Sequence, residues 1–263
     1  MDLGIRGKVA LVAASSKGLG RAIAEELAAE GADLVMCARG EDALRQAAES
    51  IRKTAGVKVV EVAADVSEQA GLDRVAKTAL DKFGKVDILV TNSGGPPSGT
   101  FESFTPEAWD AATRLLLTSA VGLARAVLPG MKERRWGRIL NVTSIAVKQP
   151  IDGLMLSNSL RAAVTGFART LANEVARFNI TVNNIMPGFT RTDRMEELAR
   201  ATAAKTGAST TDVMAKYERE IPIGRLAEPR EFAALAAFLA SERASYITGS
   251  SIAVDGGWIR SLL

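Results

Sequence analysis

The segment 155–178, MLSNSLRAAVTGFARTLANEVARF, reads as one long helix that carries a hydroxyl and a guanidinium near its start. Ser157 and Arg161 are four residues apart, so they share one face, one turn from each other. A guanidinium stays charged near neutral pH, and its planar fork suits ribose hydroxyls, a carboxylate or a phosphate. A serine hydroxyl is shorter and far less acidic than a phenol. The pair is therefore suited to holding and polarising an oxygen rather than to releasing a proton on its own. A structural alternative stands beside this reading. A serine in the first turns of a buried helix often bonds backbone, and a buried arginine needs a partner because an unpaired charge there is costly.

What the chain lacks narrows the chemistry. Its 263 residues include no histidine, which excludes imidazole acid–base catalysis, a Ser-His-Asp triad and histidine metal sites. Cys37 is the single cysteine; it lies in the strand-like run ADLVMCAR and reads as a core hydrophobe rather than a reactive thiol. No carboxylate cluster has metal spacing, so no metal is expected. The net charge of +3, with no basic run interleaved with aromatics, argues against a nucleic-acid partner. No apolar stretch approaches the ~20 residues of a membrane helix, and Met1 to Lys8 carry no secretion-signal core. A cytoplasmic protein with a small-molecule substrate is the expectation.

A second candidate site lies near the N-terminus. The loop AASSKGLG (13–20) joins a continuous apolar run, 8–14, to a segment with helical spacing, 18–31. Glycines at such a junction let backbone amides approach an anion, and the helix N-terminus adds the positive end of its dipole. This is where a dinucleotide pyrophosphate binds in a doubly wound fold. Candidate contacts are Ala14, Ser16, Lys17, Gly18, Leu19 and Gly20. Ala14 stands where a glycine usually makes the tight turn, at a cost of ~1 kcal/mol if that position needs φ > 0. The strand 33–38 ends in Ala38 and Arg39 rather than an acidic residue. Lys17 and Arg39 together suit a ribose 2′-phosphate, so NADP(H) is favoured over NAD(H), the alternative being two solvated surface cations.

These residues need a scaffold, and the periodicity supplies one. Strand-like runs at 8–14, 33–38, 57–65, 86–92, 137–144, 180–188 and 250–257 alternate with helical patterns at 18–31, 41–54, 68–83, 106–134, 155–178 and 229–241. Thr105 and Pro106 form a cap and first turn for the long helix. Such alternation predicts one α/β domain over 1–263, a Rossmann-like doubly wound parallel sheet of about seven strands with helices on both faces. The polar segment 190–224 shows no strand signal.

Taken together, these segments resemble the short-chain dehydrogenase/reductase family, especially its 3-oxoacyl-carrier-protein reductase-like members. The resemblance rests on AASSKGLG, TNSGG (91–95), GRILNVTS (137–144), IMPG (185–188) and the ending IPIGRLAEPREFAALAAFLASERASYITGSSIAVDGG. It implies that Asn92, Gly94 and Gly95 line the adenosine and ribose side, with Asp65 and Val66 flanking the adenine. Pro187, Gly188 and Thr190 would meet the nicotinamide end. For Asn92 a bracket between neighbouring strands is an equal alternative.

By the same resemblance Ser144 is the active-site serine, and Ser157 and Arg161 stand at the positions of the family's tyrosine and lysine. Leu116 would take the place of its asparagine. Three readings follow: an oxidoreductase working through Ser144, Ser157 and Arg161; a catalytically silent nucleotide- or metabolite-binding homologue; or a scaffold subunit of an active partner. The segment 190–224 resembles a substrate lid, with Met195 and Met214 as inward contacts. The small residues Ala120, Gly122, Ala124, Ala162, Ala163 and Gly166 point, with the resemblance, to a homotetramer or failing that a homodimer.

Overall fold

The computed structural model describes residues 2–262. Seven strands build one parallel sheet in the order β3-β2-β1-β4-β5-β6-β7. They are β1 (Val9–Ala13), β2 (Asp33–Ala38), β3 (Val59–Ala63), β4 (Ile88–Thr91), β5 (Gly137–Val142), β6 (Ile180–Pro187) and β7 (Ser251–Val254). β1, β4 and β5 are buried along their whole length. β1 and most of β4 are accordingly apolar runs rather than alternating ones, whereas β5 also buries Arg138 and Asn141, each hydrogen-bonded. One apolar layer forms under α1 (Gly18–Ala29), α2 (Glu41–Ala55) and, near the C-terminus, α9 (Pro229–Ala240). A second forms under α3 (Gln69–Phe83), α5 (Ser119–Arg134) and α6 (Met155–Val175). The expected doubly wound α/β architecture is what the chain adopts.

The order reverses at β1, whose neighbours are β2 on one side and β4 on the other. Connections leave in opposite directions there, so a crevice opens at the carboxyl ends of these strands. A buried polar row secures the strands beside it. Thr91 donates to Asn141 at 2.7 Å, Asn141 to Asn184 at 3.2 Å, and Asn184 to the Ser251 hydroxyl at 3.0 Å. The four occupy one register across β4, β5, β6 and β7.

Three expectations need correction. The long helix 106–134 is not uniform: α4 (Pro106–Thr113), capped by Thr105, passes through a π-helical turn at Arg114–Thr118 before α5. Such a turn often marks a functional site. This run is also long and apolar enough to cross a membrane by length and composition. Here, however, its apolar side packs into the fold through Ala112, Leu116, Leu123 and Met131. Finally, Ala120 and Ala124 face the core and Gly122 packs on Leu72, so these small residues form no outer stripe. Ala162, Ala163 and Gly166 on α6 are exposed.

The segment 190–224 folds as two helices, α7 (Asp193–Thr206) and α8 (Thr210–Glu220), each N-capped by a hydroxyl, Thr192 and Ser209. Beyond them, α9 opens with a capping box in which Glu231 accepts from the Glu228 amide and from both Arg225 guanidinium nitrogens at 2.7 Å. The Arg225 hydrogen bond, helped by the Glu228 amide, lowers the Glu231 pKa to about 2. A folded pKa below the unfolded one means a contribution present above about 4.5 and lost as pH falls through about 2. Glu231→Gln should therefore lower the melting temperature at pH 7. The gap to wild type should shrink as the melts are taken down from pH 4.5 to pH 2.

Candidate active site

The crevice holds a cavity of about 640 Å³, and the sequence-predicted residues converge on it from six strand ends. Ala14, Ser16, Lys17, Gly18 and Leu19 line it after β1, and Arg39 after β2. Asp65 and Val66 follow β3, while Asn92, Gly94 and Gly95 follow β4. Ser144 comes from the end of β5, Ser157 and Arg161 from α6, and Pro187, Gly188 and Thr190 from the end of β6. Among the candidate catalytic and cofactor-binding residues only Gly20 stays outside the lining. Its role is close approach: a Cβ there would sit 2.3 Å from the Ala14 carbonyl oxygen and 2.8 Å from Asn92 Nδ2.

At the phosphate end, α1 begins at Gly18 with no acidic residue in its first turn, which leaves its positive dipole end facing the cavity. Gly18 has φ +57 and Ala14 has φ 49. Ala14 thus holds the left-handed conformation that favours glycine, as its position in the loop implies. Asn92 Nδ2 donates to the Ala14 carbonyl over a long 3.5 Å, so it both brackets the loop and lines the cavity. These features fit a dinucleotide. The two cations predicted to face a 2′-phosphate now face carboxylates. Lys17 lies 3.1 Å from Asp193, and Arg39 lies 4.0 Å from Asp65. Both pairs are solvent-exposed and weak enough to exchange for phosphate. Burial raises the Asp65 pKa, but hydrogen bonds from the Ser67 amide and hydroxyl, with Arg39, outweigh it and hold the carboxyl below its ordinary value.

At the other end, the Ser144 hydroxyl accepts from the Ala146 amide at 3.1 Å, which leaves its proton free to be donated into the cavity. Arg161 donates from Nη1 to the Val142 carbonyl at 2.8 Å. Its side chain is half-buried and lines the cavity. Burial, then the nearby charge of Arg194, lower its pKa to about 10, so it is still a cation at neutral pH. Neither tyrosine reaches the lining. Tyr217 stacks on Phe189 with ring centroids 4.9 Å apart, and Tyr246 is fully exposed. Cys37 is buried, and burial pushes its thiol up to about 12, which makes it inert as expected.

Sequence reasoning missed part of the wall. Leu115 from the π-helical turn, Leu154, and Arg194 with Leu198 from α7 line the cavity, together with the anticipated Met195. Met214 does not; the buried residue of α8 is Val213. Arg194 followed a segment whose charges were read only as a helical cover, and nothing local marked it as the one that turns inward.

Fold and cleft together define a dinucleotide-binding α/β protein with its cleft at the carboxyl edge of the sheet. Residues 13–259 match the family described as enoyl-(acyl carrier protein) reductase. The chain belongs to the short-chain dehydrogenase/reductase family, oxidoreductases that interconvert carbonyl and hydroxyl groups with NAD(P)H. It is 38% identical over 255 residues to the 3-oxoacyl-[acyl-carrier-protein] reductase of Vibrio cholerae, covering 97% of this chain and 98% of the relative. It is 37% identical over 262 residues to the D-beta-hydroxybutyrate dehydrogenase of Cupriavidus necator, covering 97% and 99%. The L-sorbose reductase of Gluconobacter frateurii, solved with NADPH and L-sorbose, superposes with a TM-score of 0.95 at 41% identity over 100% of both chains.

Because Ala14 holds φ 49, replacing it with glycine should relieve strain at the turn. Ala14→Gly is expected to stabilise the protein by about 0.5–1 kcal/mol, read from urea midpoints at constant m-value.

Proposed function

We propose that this chain is an NADP(H)-preferring oxidoreductase that works on a carbonyl or hydroxyl substrate through Ser144, Ser157 and Arg161, without the family's tyrosine and lysine. The observation that carries the reading is that these three residues open onto the same cavity as the glycine loop and Arg39. Bound NADPH supplies the hydride. The chain's own residues then have to orient the carbonyl and stabilise the negative charge that develops on its oxygen. Ser144 donates a hydrogen bond to that oxygen, since its acceptor side is already taken by the Ala146 amide. Ser157 lies in the same lining and donates a second. Arg161, held by the Val142 carbonyl, offers a fixed positive charge that anchors and orients the substrate beside those hydroxyls. It does not give up its proton near neutral pH. The final proton comes by way of a serine hydroxyl or solvent. Losing a dedicated general acid costs ~10²–10⁴ in rate, which slows turnover without forbidding it.

The chain operates as one Rossmann-like domain, with 190–224 as its substrate lid. Assembly into a homotetramer or homodimer uses the exposed small face of α6 at Ala162, Ala163 and Gly166. The second reading, a silent nucleotide-binding homologue, draws on the lack of a tyrosine among the residues lining the cavity.

NADPH oxidation against a panel of ketones and aldehydes tests the activity, with Ser144→Ala expected to lower kcat/KM by about 10²–10³. Tight NADPH binding with no turnover of any member would favour the silent homologue. For the cofactor, calorimetry should show NADPH binding more tightly than NADH. Arg39→Ala should remove most of that difference, about 1–3 kcal/mol; equal affinities in the wild type would refute the assignment.

A further inference from the structure

The substrate end of the cavity carries more positive charge than its neighbours neutralise. Arg161 comes from α6 and Arg194 from the first turn of α7, and both line the same space. Arg161 has no carboxylate within ion-pair distance among the described residues; its one side-chain acceptor is the Val142 carbonyl. Among the described residues, the only acidic ones lining the cavity are Asp65 and Asp193, and both face cations at the cofactor end, Arg39 and Lys17. Arg194 is held against the loop after β4, at the cavity wall. Its Nη2 donates to the Pro96 carbonyl at 2.8 Å, and Nη1 lies 3.4 Å from the exposed Glu197. A Cβ on Gly95 would sit 2.6 Å from Arg194 Nε, so the guanidinium lies flat against the loop after β4. Two guanidiniums close enough for one to depress the pKa of the other repel each other, and the fold tolerates that without an internal counter-ion. Beside them the wall is apolar, made by Leu115, Leu154, Met195 and Leu198.

We infer that the substrate is an amphiphilic oxyanion: an apolar body seated against Leu115, Leu154, Met195 and Leu198, with a carboxylate or phosphate head held between Arg161 and Arg194. The reacting carbonyl or hydroxyl then lies beside Ser144 and Ser157. This rests on the oxidoreductase reading for the reaction, but the anion site itself does not depend on it. The ligand completes a charge balance that the protein leaves open, and α7 contributes half of the site. A guanidinium fork can give each head group two parallel hydrogen bonds, which a lysine in the same place cannot.

The test measures binding without turnover. Hexanoate, hexyl phosphate and neutral hexanamide are titrated against the full chain by saturation-transfer NMR, with adenosine 2′,5′-bisphosphate present to keep the phosphate probe off the glycine loop. At least one anionic probe should bind about tenfold to a hundredfold more tightly than hexanamide. The better of the two anions identifies the head group. Arg194→Gln and Arg161→Gln should each remove most of the advantage, and Arg161→Lys should recover only part of it. Arg200→Gln, on the exposed side of α7 where it pairs with Glu196 at 3.8 Å, should leave the advantage intact. Equal binding of anions and hexanamide by the wild type overturns the inference, as does an advantage that survives both Arg194→Gln and Arg161→Gln. A parallel NADPH titration reports on the oxidoreductase reading separately, because its failure leaves the anion preference measurable.

Discussion

The cleft depends on how closely α1 approaches the end of β1. Gly20 has no room for a side chain, since a Cβ would meet the Ala14 carbonyl oxygen at 2.3 Å. That contact sets the helix N-terminus directly over the point where the strand order reverses. It also presses the loop into a turn that Ala14 completes at positive φ, with Asn92 tied to the same carbonyl from the neighbouring strand. The amides that can receive a pyrophosphate, and the crevice beside them, follow from this one close packing.

Across the cleft, the polar row from Thr91 through Asn141 and Asn184 to Ser251 serves a related purpose. Hydrogen-bonded polar groups in a buried sheet are costly to separate, so a register slip between these strands would strand several of them at once. Ser144 emerges just past the end of this row, and Arg161 is anchored to Val142 in the same strand end. The positions of these two side chains are therefore inherited from the sheet, in a cavity wall that leaves the Arg161 guanidinium without a carboxylate partner among the described residues.

Charge is distributed unevenly along the cleft. At the cofactor end each cation has a carboxylate nearby, in exposed pairs that exchange easily. Around Arg161 and Arg194, among the described residues, the guanidiniums meet backbone carbonyls and, beside Arg194, the exposed Glu197. α7 starts with Asp193 beside the glycine loop and Arg194 against the loop after β4, so it touches both ends of the cleft within two residues. One packed helix start thus joins the two halves of the cleft.

The fold was legible because its signals are local. Continuous apolar runs marked strands buried on both faces, helical spacing marked the crossovers, and the glycine loop sat at the first junction. The site was legible in part for the same reason: Ser157 and Arg161 declare their shared face by spacing alone, and Ser144 follows from the resemblance. What tertiary structure alone decided is which distant groups meet. Arg194 bonds Pro96 across 98 residues, and Trp136 on one side of the sheet bonds Glu242 across 106. The burial of Ala120 and Ala124 and the inward turn of Met195 rather than Met214 belong to the same class. Periodicity is a property of neighbouring residues and can be read along a chain. The choice of which face of a helix meets which loop depends on how every layer packs, and no short stretch of sequence contains it.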